Sequence, residues 1–444
     1  MAAGEAELPA ALPPAPLPAA APAPGLPSVR HAGYLRRYWG LALAALCGPG
    51  LIVMLADTDA GSVVTAAQSG AQWGYGMILP QLVLVPVLYV VQEMTVRLGI
   101  ITGRGHGALI RDCFGQRWAL LSAGTLFLSS VGALITEFAA VAGVGQMFGI
   151  SRWVTIPVAT AFLVGLSLTG SYRRAERIGI AIGLAELLFI PAMLMSHPSV
   201  SAVAAGALTP PVGHSGYLYL LAANVGAVIM PWMIFYQQGA VIDKGLGPAK
   251  LPGERRATAA GALLTQVIML AVVILLAATV GRSGGGGPLN SVGQISAALR
   301  PYLGPAGAKV LFGAGILGAA LVAALVSSLA GAWGLAEIFG WKHTLNERPS
   351  RRTAGFYVSY ALAHVAGAAL VLASVDLVSL AVDAEVMNAL LLPVVLGFLL
   401  ALERKALPGQ ARMRGPRKWT AWGLCLVTMA FGLYMIPSLL GLAG

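Results

Sequence analysis

GPGLIVMLADTDAGSVVTAAQSGAQWGYG occupies residues 48–76, and its reading decides the fold. Two acids, Asp57 and Asp59, stand in the middle of an otherwise apolar stretch and are followed by Ala60, Gly61 and Ser62. A carboxylate at mid-membrane costs several kcal/mol unless something compensates it. Small residues next to it let a helix unwind locally, and the freed backbone carbonyls can join the carboxylate in holding a cation. Neither acid has a basic partner within the stretch, which argues against simple ion pairing. A polar patch that only glues helices together is the alternative reading.

The rest of the chain supports a membrane setting. Of 444 residues, 57% are hydrophobic and 10% are charged. Soluble proteins carry roughly 25% charged residues, so this composition excludes a soluble multidomain enzyme, a disordered chain and a nucleic-acid binder. It points to a polytopic α-helical membrane protein. Residues 1–29, rich in Ala and Pro, read as a flexible cytoplasmic tail without the basic and apolar regions of a cleaved signal peptide. Cys47, Cys113 and Cys425 are far apart and form no CxxC pair, which argues against disulfides and a structural zinc site.

Eleven apolar spans follow the tail, at about 39–67, 76–96, 118–146, 153–170, 178–196, 217–241, 256–280, 303–333, 354–373, 375–402 and 418–442. With the N-terminus inside and the spans alternating, 24 of the 28 basic residues fall on the cytoplasmic side. Only Arg152, Arg282, Arg300 and Lys309 fall elsewhere. That bias is the positive-inside pattern. It also removes the motive for reading the net charge of +11 as a nucleic-acid surface.

A second break is expected in AANVGAVIMPWMIFYQQGAV, residues 222–241. Pro231 has no N–H to donate and clashes with the carbonyl four residues earlier, so the carbonyls near Ala227 lose their partners. Met230 adds a soft thioether at the same level. Asp59 and Pro231 are 172 positions apart, each in the first span of a block of five. Five is odd, so spans 1–5 and 6–10 would form an inverted repeat, with span 11 added. Two interrupted helices meeting near the midplane mark the substrate site in transporters built this way. The domain reading is a tail at 1–29, a first repeat at 30–200, an inverted repeat at 201–403, and a basic loop with the last helix at 404–444.

Further acids lie inside spans. Glu137 and Glu385 are read as carriers of a proton or as groups near the substrate, because an acid in an apolar setting can hold a proton. Glu186 and His364 are read as structural, and Asp383 as facing water. The chain has no GxxxxGK[ST] loop, no cysteine cluster for a redox centre and no aqueous domain for group-transfer chemistry. Transport without an enzymatic step or a cofactor is the expectation, with the lipid bilayer as surroundings and no obligate protein partner.

These residues resemble the NRAMP family of divalent-metal transporters over about residues 35–443. The carriers are ADTDAGS in the first span, where the family typically has DPGN, RLGIITGRG (97–105), SYRRAE (171–176), AVIMPW (227–232) and EVMNALLLPV (385–394). The resemblance implies a LeuT-like fold of the APC superfamily, with about eleven helices and with helices 1 and 6 discontinuous. It implies inward movement of a divalent cation, Mn2+ or Mg2+ and also Fe2+, with or without proton coupling, in a bacterial plasma membrane. By motif position Asp59 is the central carboxylate, Ser62 stands where the family uses Asn, Ala227 offers its carbonyl and Met230 its sulfur. Glu385 replaces a Gln that approaches the ion, Asp57 is a further carboxylate, and Glu137 matches an acid tied to the proton route.

The chain also departs from the pattern. Ala60 replaces Pro, Trp232 replaces the His that follows Met–Pro and is associated with gating and proton movement, and Ala140 stands where many members have a second acid. Met230 favours softer ions, and the added carboxylates favour hard, hydrated ones. The rival reading is a transporter of a small organic solute, such as an amino acid, on the same fold.

Overall fold

The computed structural model describes residues 49–281, 288–289, 291–342, 344–373 and 377–439, all of them in helices, turns and connecting segments. The expected tail at 1–29, the start of the first span, Cys47 and Arg282 lie outside the described residues. In chain order the helices are α1 (Pro49–Asp57), α2 (Ala60–Trp73), α3 (Ile78–Thr102), α4 (His106–Phe114), α5 (Gln116–Met147), α6 (Arg152–Ser167), α7 (Tyr172–Gly183) and α8 (Phe189–Met195). They continue as α9 (Val200–Ala207), α10 (Ser215–Val228), α11 (Pro231–Asp243), α12 (Leu251–Thr279), α13 (Val292–Ala297), α14 (Arg300–Phe339), α15 (Ala354–Ala373), α16 (Leu377–Lys405) and α17 (Gly415–Leu439).

Nine helical stretches among the described residues are long and apolar enough to cross a membrane, by length and composition. The difference from eleven arises in two places. The span expected at 39–67 begins outside the described residues, and its second half runs with α3 as one stretch, Ala60–Thr102. The span expected at 153–170 is α6, which at 16 residues is shorter than the others.

The centre of the bundle is α14 lying along α5, with α10 against α16 and α12 against α2 and α3. Small residues permit these approaches, as is common where helices associate in lipid. At Gly226 of α10 a Cβ would stand 1.8 Å from the backbone carbonyl oxygen of Glu385, so no larger residue fits between α10 and α16. Large apolar side chains face outward, among them Leu82, Val83, Phe127, Val158 and Leu362. In water such a surface would aggregate; against acyl chains it is the matching solvent. Trp153 and Trp419, exposed near helix starts, suit the interfacial belt.

One end of the bundle is tied by charge. Arg97, one of the basic residues counted on the cytoplasmic side, is buried at 2% exposure. Its guanidinium meets Glu403 at 3.1 Å and Glu93 at 3.3 Å. Arg255 and Arg417 also reach the same Glu93 oxygen, at 2.8 and 2.6 Å. Three guanidinium groups on one carboxylate oxygen join α3, α12 and α17, and Glu403 adds α16 by pairing with Arg97 while also accepting the Met413 N–H at 2.6 Å. Buried charges persist only with such pairing.

Candidate metal centre

The site forms where two helix pairs stop and restart. α1 ends at Asp57 and α2 begins at Ala60, leaving Thr58 and Asp59 between them. Asp59 is extended (φ −64°, ψ 173°), and its Oδ1 accepts the Ser62 N–H at 2.7 Å as the N-cap of α2. Short polar side chains cap helix starts in this way because the first N–H groups have no partner in the helix. Glu137 of α5 takes a second of those donors, accepting the Ala60 N–H at 3.2 Å through Oε2.

α10 ends at Val228 and α11 begins at Pro231, with Met230 extended (φ −92°, ψ 138°). In an unbroken helix the N–H of residue 231 would serve the carbonyl of Ala227. Proline has none, and the Ser62 hydroxyl takes that place, donating to the Ala227 carbonyl at 3.0 Å. One hydrogen bond thus joins the two breaks, which are far apart in sequence. The indole N–H of Trp232 points back to the Met230 sulfur at 3.1 Å.

A third element closes the group. The Glu385 carboxylate of α16 lies against Gly61, where a Cβ would stand 2.3 Å from Oε1. Its other oxygen accepts from Asn388 Nδ2 at 3.0 Å, and Asn388 in turn accepts from the Ser129 hydroxyl at 2.8 Å. Asp59, Ser62, Ala227 and Met230 are fully buried and Asp57 and Glu385 nearly so. The site is closed to solvent in this structure. Both Asp57 oxygens and Oδ2 of Asp59 are buried with no hydrogen-bond partner.

The charges that act on Asp57, Glu137, Glu186 and Glu385 are those of other carboxylates. Carboxyl groups gathered in an apolar bundle without basic partners are relieved either by protons or by a cation. Among the described residues no three His, Cys, Asp or Glu side chains gather as a metal-holding group. The candidate donors are mixed instead: carboxyl groups, a hydroxyl and a backbone carbonyl, with a thioether in the second break. Such a set suits an ion that must leave as well as enter.

The structure brings together Asp59, Ser62, Ala227, Glu385 and Glu137, with Asp57 at the end of α1 and with Met230 in the second break, where its sulfur accepts from Trp232. His364 is set apart and packs structurally, its ring 3.0 Å from the Tyr360 carbonyl. Asp383 is exposed and accepts from the Tyr219 hydroxyl. Glu186, read from sequence as mostly structural, is buried and hydrogen-bonds Thr58 in the first break. The polar ladder behind the site was not foreseen. Asn224 donates to Ser69 Oγ at 2.7 Å and accepts from Gln81 at 2.5 Å, linking α10 to α2 and α3. Glutamine inside an apolar span was the available signal.

The all-α bundle of long apolar helices places the chain in the LeuT-like class of polytopic membrane proteins. Within that class the chain belongs to the family described as natural resistance-associated macrophage protein-like (Nramp), whose profile matches residues 50–438. The divalent metal cation transporter MntH of Acidiphilium cryptum is 24% identical over 413 residues, covering 89% of this chain and 90% of that protein. MntH of Verminephrobacter eiseniae is 27% identical over 229 residues, 50% of this chain and 51% of that protein. For Staphylococcus aureus MntH the match is 29% over 203 residues, 44% of each chain. The aligned part of this chain thus spans about half the length of the latter two.

Among solved structures, an Eremococcus coleocola manganese transporter in complex with an aromatic bis-isothiourea substituted compound superposes with a TM-score of 0.71 at 17% identity, covering 93% of this chain and 89% of that one. MhsT in complex with L-phenylalanine superposes with a TM-score of 0.60 at 14% identity, covering 88% and 98%. At these identities the likeness concerns the fold.

Proposed function

We propose that the protein is a secondary transporter that carries divalent metal cations across a bacterial plasma membrane into the cytoplasm by alternating access. The observation that carries this reading is the Ser62–Ala227 hydrogen bond, which joins both helix breaks beside the unpartnered Oδ2 of Asp59. Family membership and the MntH relatives support it. The transported ion is the substrate, with Mn2+ and Mg2+ as the principal candidates and Fe2+ as a third; no cofactor is implied.

In this reading Asp59, Asp57 and Glu385 supply charge, and Ser62, Ala227 and Met230 supply neutral donors. Glu137 couples the ion to a proton or to the conformational change, and Trp232 gates. The eleven-helix count, the inverted repeat of 30–200 and 201–403, the tail at 1–29, the last unit at 404–444 and a cytoplasmic N-terminus belong to the same proposal. The closed burial of the site is consistent with an occluded step of the cycle.

An organic solute would need free N–H groups at the α2 start for its carboxylate. Those at Ala60 and Ser62 are already taken by Glu137 and Asp59. That favours the cation over the amino acid. The test is tracer manganese and magnesium uptake into proteoliposomes, with Asp59→Ala as control. Uptake that is lost in the variant supports the reading; no uptake of either ion by the wild-type chain, with saturable uptake of an amino acid instead, refutes it.

A further inference from the structure

We propose that Glu186 is a positioning residue of the transport cycle, acting through Thr58 on the end of α1. The proposal rests on the transport reading above. Glu186 stands in the helical turn Leu184–Leu188 between α7 and α8, fully buried. One of its oxygens hydrogen-bonds the Thr58 hydroxyl, and the other is buried with no partner. It also lies within electrostatic reach of Asp57 and Asp59.

The broken helix has two ends to satisfy. The α2 start is met by Asp59 and Glu137. The α1 end is met by two hydroxyls. Thr265 of α12 donates to the Met54 carbonyl at 2.5 Å, and Thr58 donates to the Leu55 carbonyl at 2.9 Å. Glu186 is therefore to α1 what Glu137 is to α2: an acid from a neighbouring helix that fixes one half.

Thr58 has a single hydroxyl proton and two acceptor neighbours. While that proton serves the Leu55 carbonyl, the second hydrogen bond needs a proton from the Glu186 carboxyl. If Thr58 turns its proton to Glu186, the Leu55 carbonyl loses this cap. The arrangement is a latch with a closed form, in which Glu186 donates, Thr58 relays and α1 is capped. Glutamine reproduces the donor; leucine does not. The latch touches the hinge rather than the donors at Asp59, Ser62, Ala227 and Met230. It stabilises the closed state through which the ion must pass, so its loss slows turnover and leaves affinity in place.

The experiment uses the full chain with two readouts. Initial rates of manganese uptake in proteoliposomes give Vmax and KM. Hydrogen exchange by mass spectrometry over residues 50–62 reports the hinge whether or not ions move. Loss of a buried hydrogen bond predicts that Glu186→Leu and Thr58→Val each lower Vmax about tenfold, with KM within about twofold of wild type. The double variant is no slower than the slower single one. Glu186→Gln keeps at least about half the wild-type rate, as expected of a hydrogen-bond donor of the same shape. Both lossy variants also exchange faster than wild type over 50–62, and Glu186→Gln does not.

Wild-type Vmax and exchange in Thr58→Val, multiplying losses in the double variant, or a Glu186→Gln as slow as Glu186→Leu overturns the proposal. If Glu186→Leu does not fold, Thr58→Val and Glu186→Gln decide it. If the wild-type chain moves no ion, the transport reading fails, and the exchange data still accept or reject the latch.

Discussion

Replacing Gly61 by alanine tests whether Glu385 belongs to the ion's surroundings. The added Cβ would stand 2.3 Å from Glu385 Oε1 and 3.4 Å from Thr136 Oγ1. Glu385 Oε1 is too close and its Cδ, at 3.3 Å, is also tight, so restoring ordinary separation needs the carboxyl group to retreat by about 1 Å. Glu385 is held behind by Asn388 at 3.0 Å, so its carboxylate must move outward or rotate off that partner. Oxygen ligands sit about 2.0–2.1 Å from magnesium, and a 1 Å retreat ends such a contact. Losing one charge-assisted contact costs about 1.5–3 kcal/mol, which is roughly 10–150-fold in affinity. The assay is the KM of manganese and magnesium uptake in proteoliposomes for wild type, Gly61→Ala, Glu385→Gln and the double variant. KM should rise in both single variants, and the double variant should match Glu385→Gln alone, since the two changes remove one contact. An unchanged KM in Gly61→Ala, or losses that multiply in the double variant, would refute the reasoning.

Further outcomes follow from other contacts. Trp232→Phe releases the Met230 sulfur from its indole partner; cadmium should then compete several-fold better against manganese, and Met230→Ala on that background should abolish the gain. Gly226→Ala forces a methyl group onto the Glu385 carbonyl and should cost about 1–3 kcal/mol of stability, read as a lower Tm in detergent. His106, at the start of the short helix α4, is held down to about 4 by burial, against which its hydrogen bond to Gln238 acts. A histidine that is neutral when folded and titrates at 6.5 when unfolded stabilises fully above pH 6.5, and that contribution is lost as pH falls from 6.5 towards 4. By pH 5 the loss is about 2 kcal/mol, and His106→Gln should flatten the fall of Tm between pH 7 and 5; parallel curves would count against it.

Much of the fold was legible because a bilayer constrains sequence so strongly. Apolar stretches, proline positions and misplaced acids located α2, α10, α11 and the two breaks without any side-chain geometry. Asp59 and Ala227 could be paired by reasoning from backbone chemistry, since one is an acid without a partner and the other a carbonyl that loses its N–H to Pro231. What completed the pairing, the hydroxyl of Ser62, was visible only as a departure from the family's asparagine. The contact of Glu186 with Thr58 was not legible, because an acid in a span carries no label for which helix face it occupies and Thr58 is an ordinary residue in sequence. The burial of Arg97 was likewise not legible, because a charge count gives the side of a span on which an arginine lies and not its partners, here Glu93 and Glu403.

The Glu93 oxygen shared by Arg97, Arg255 and Arg417 has a consequence for biogenesis. Its three partners leave the ribosome at widely separated times, the last only when α17 is being made. Arg417, at the start of α17, supplies the third of these guanidinium groups, so full neutralisation of Glu93 requires helices remote in sequence to be packed together.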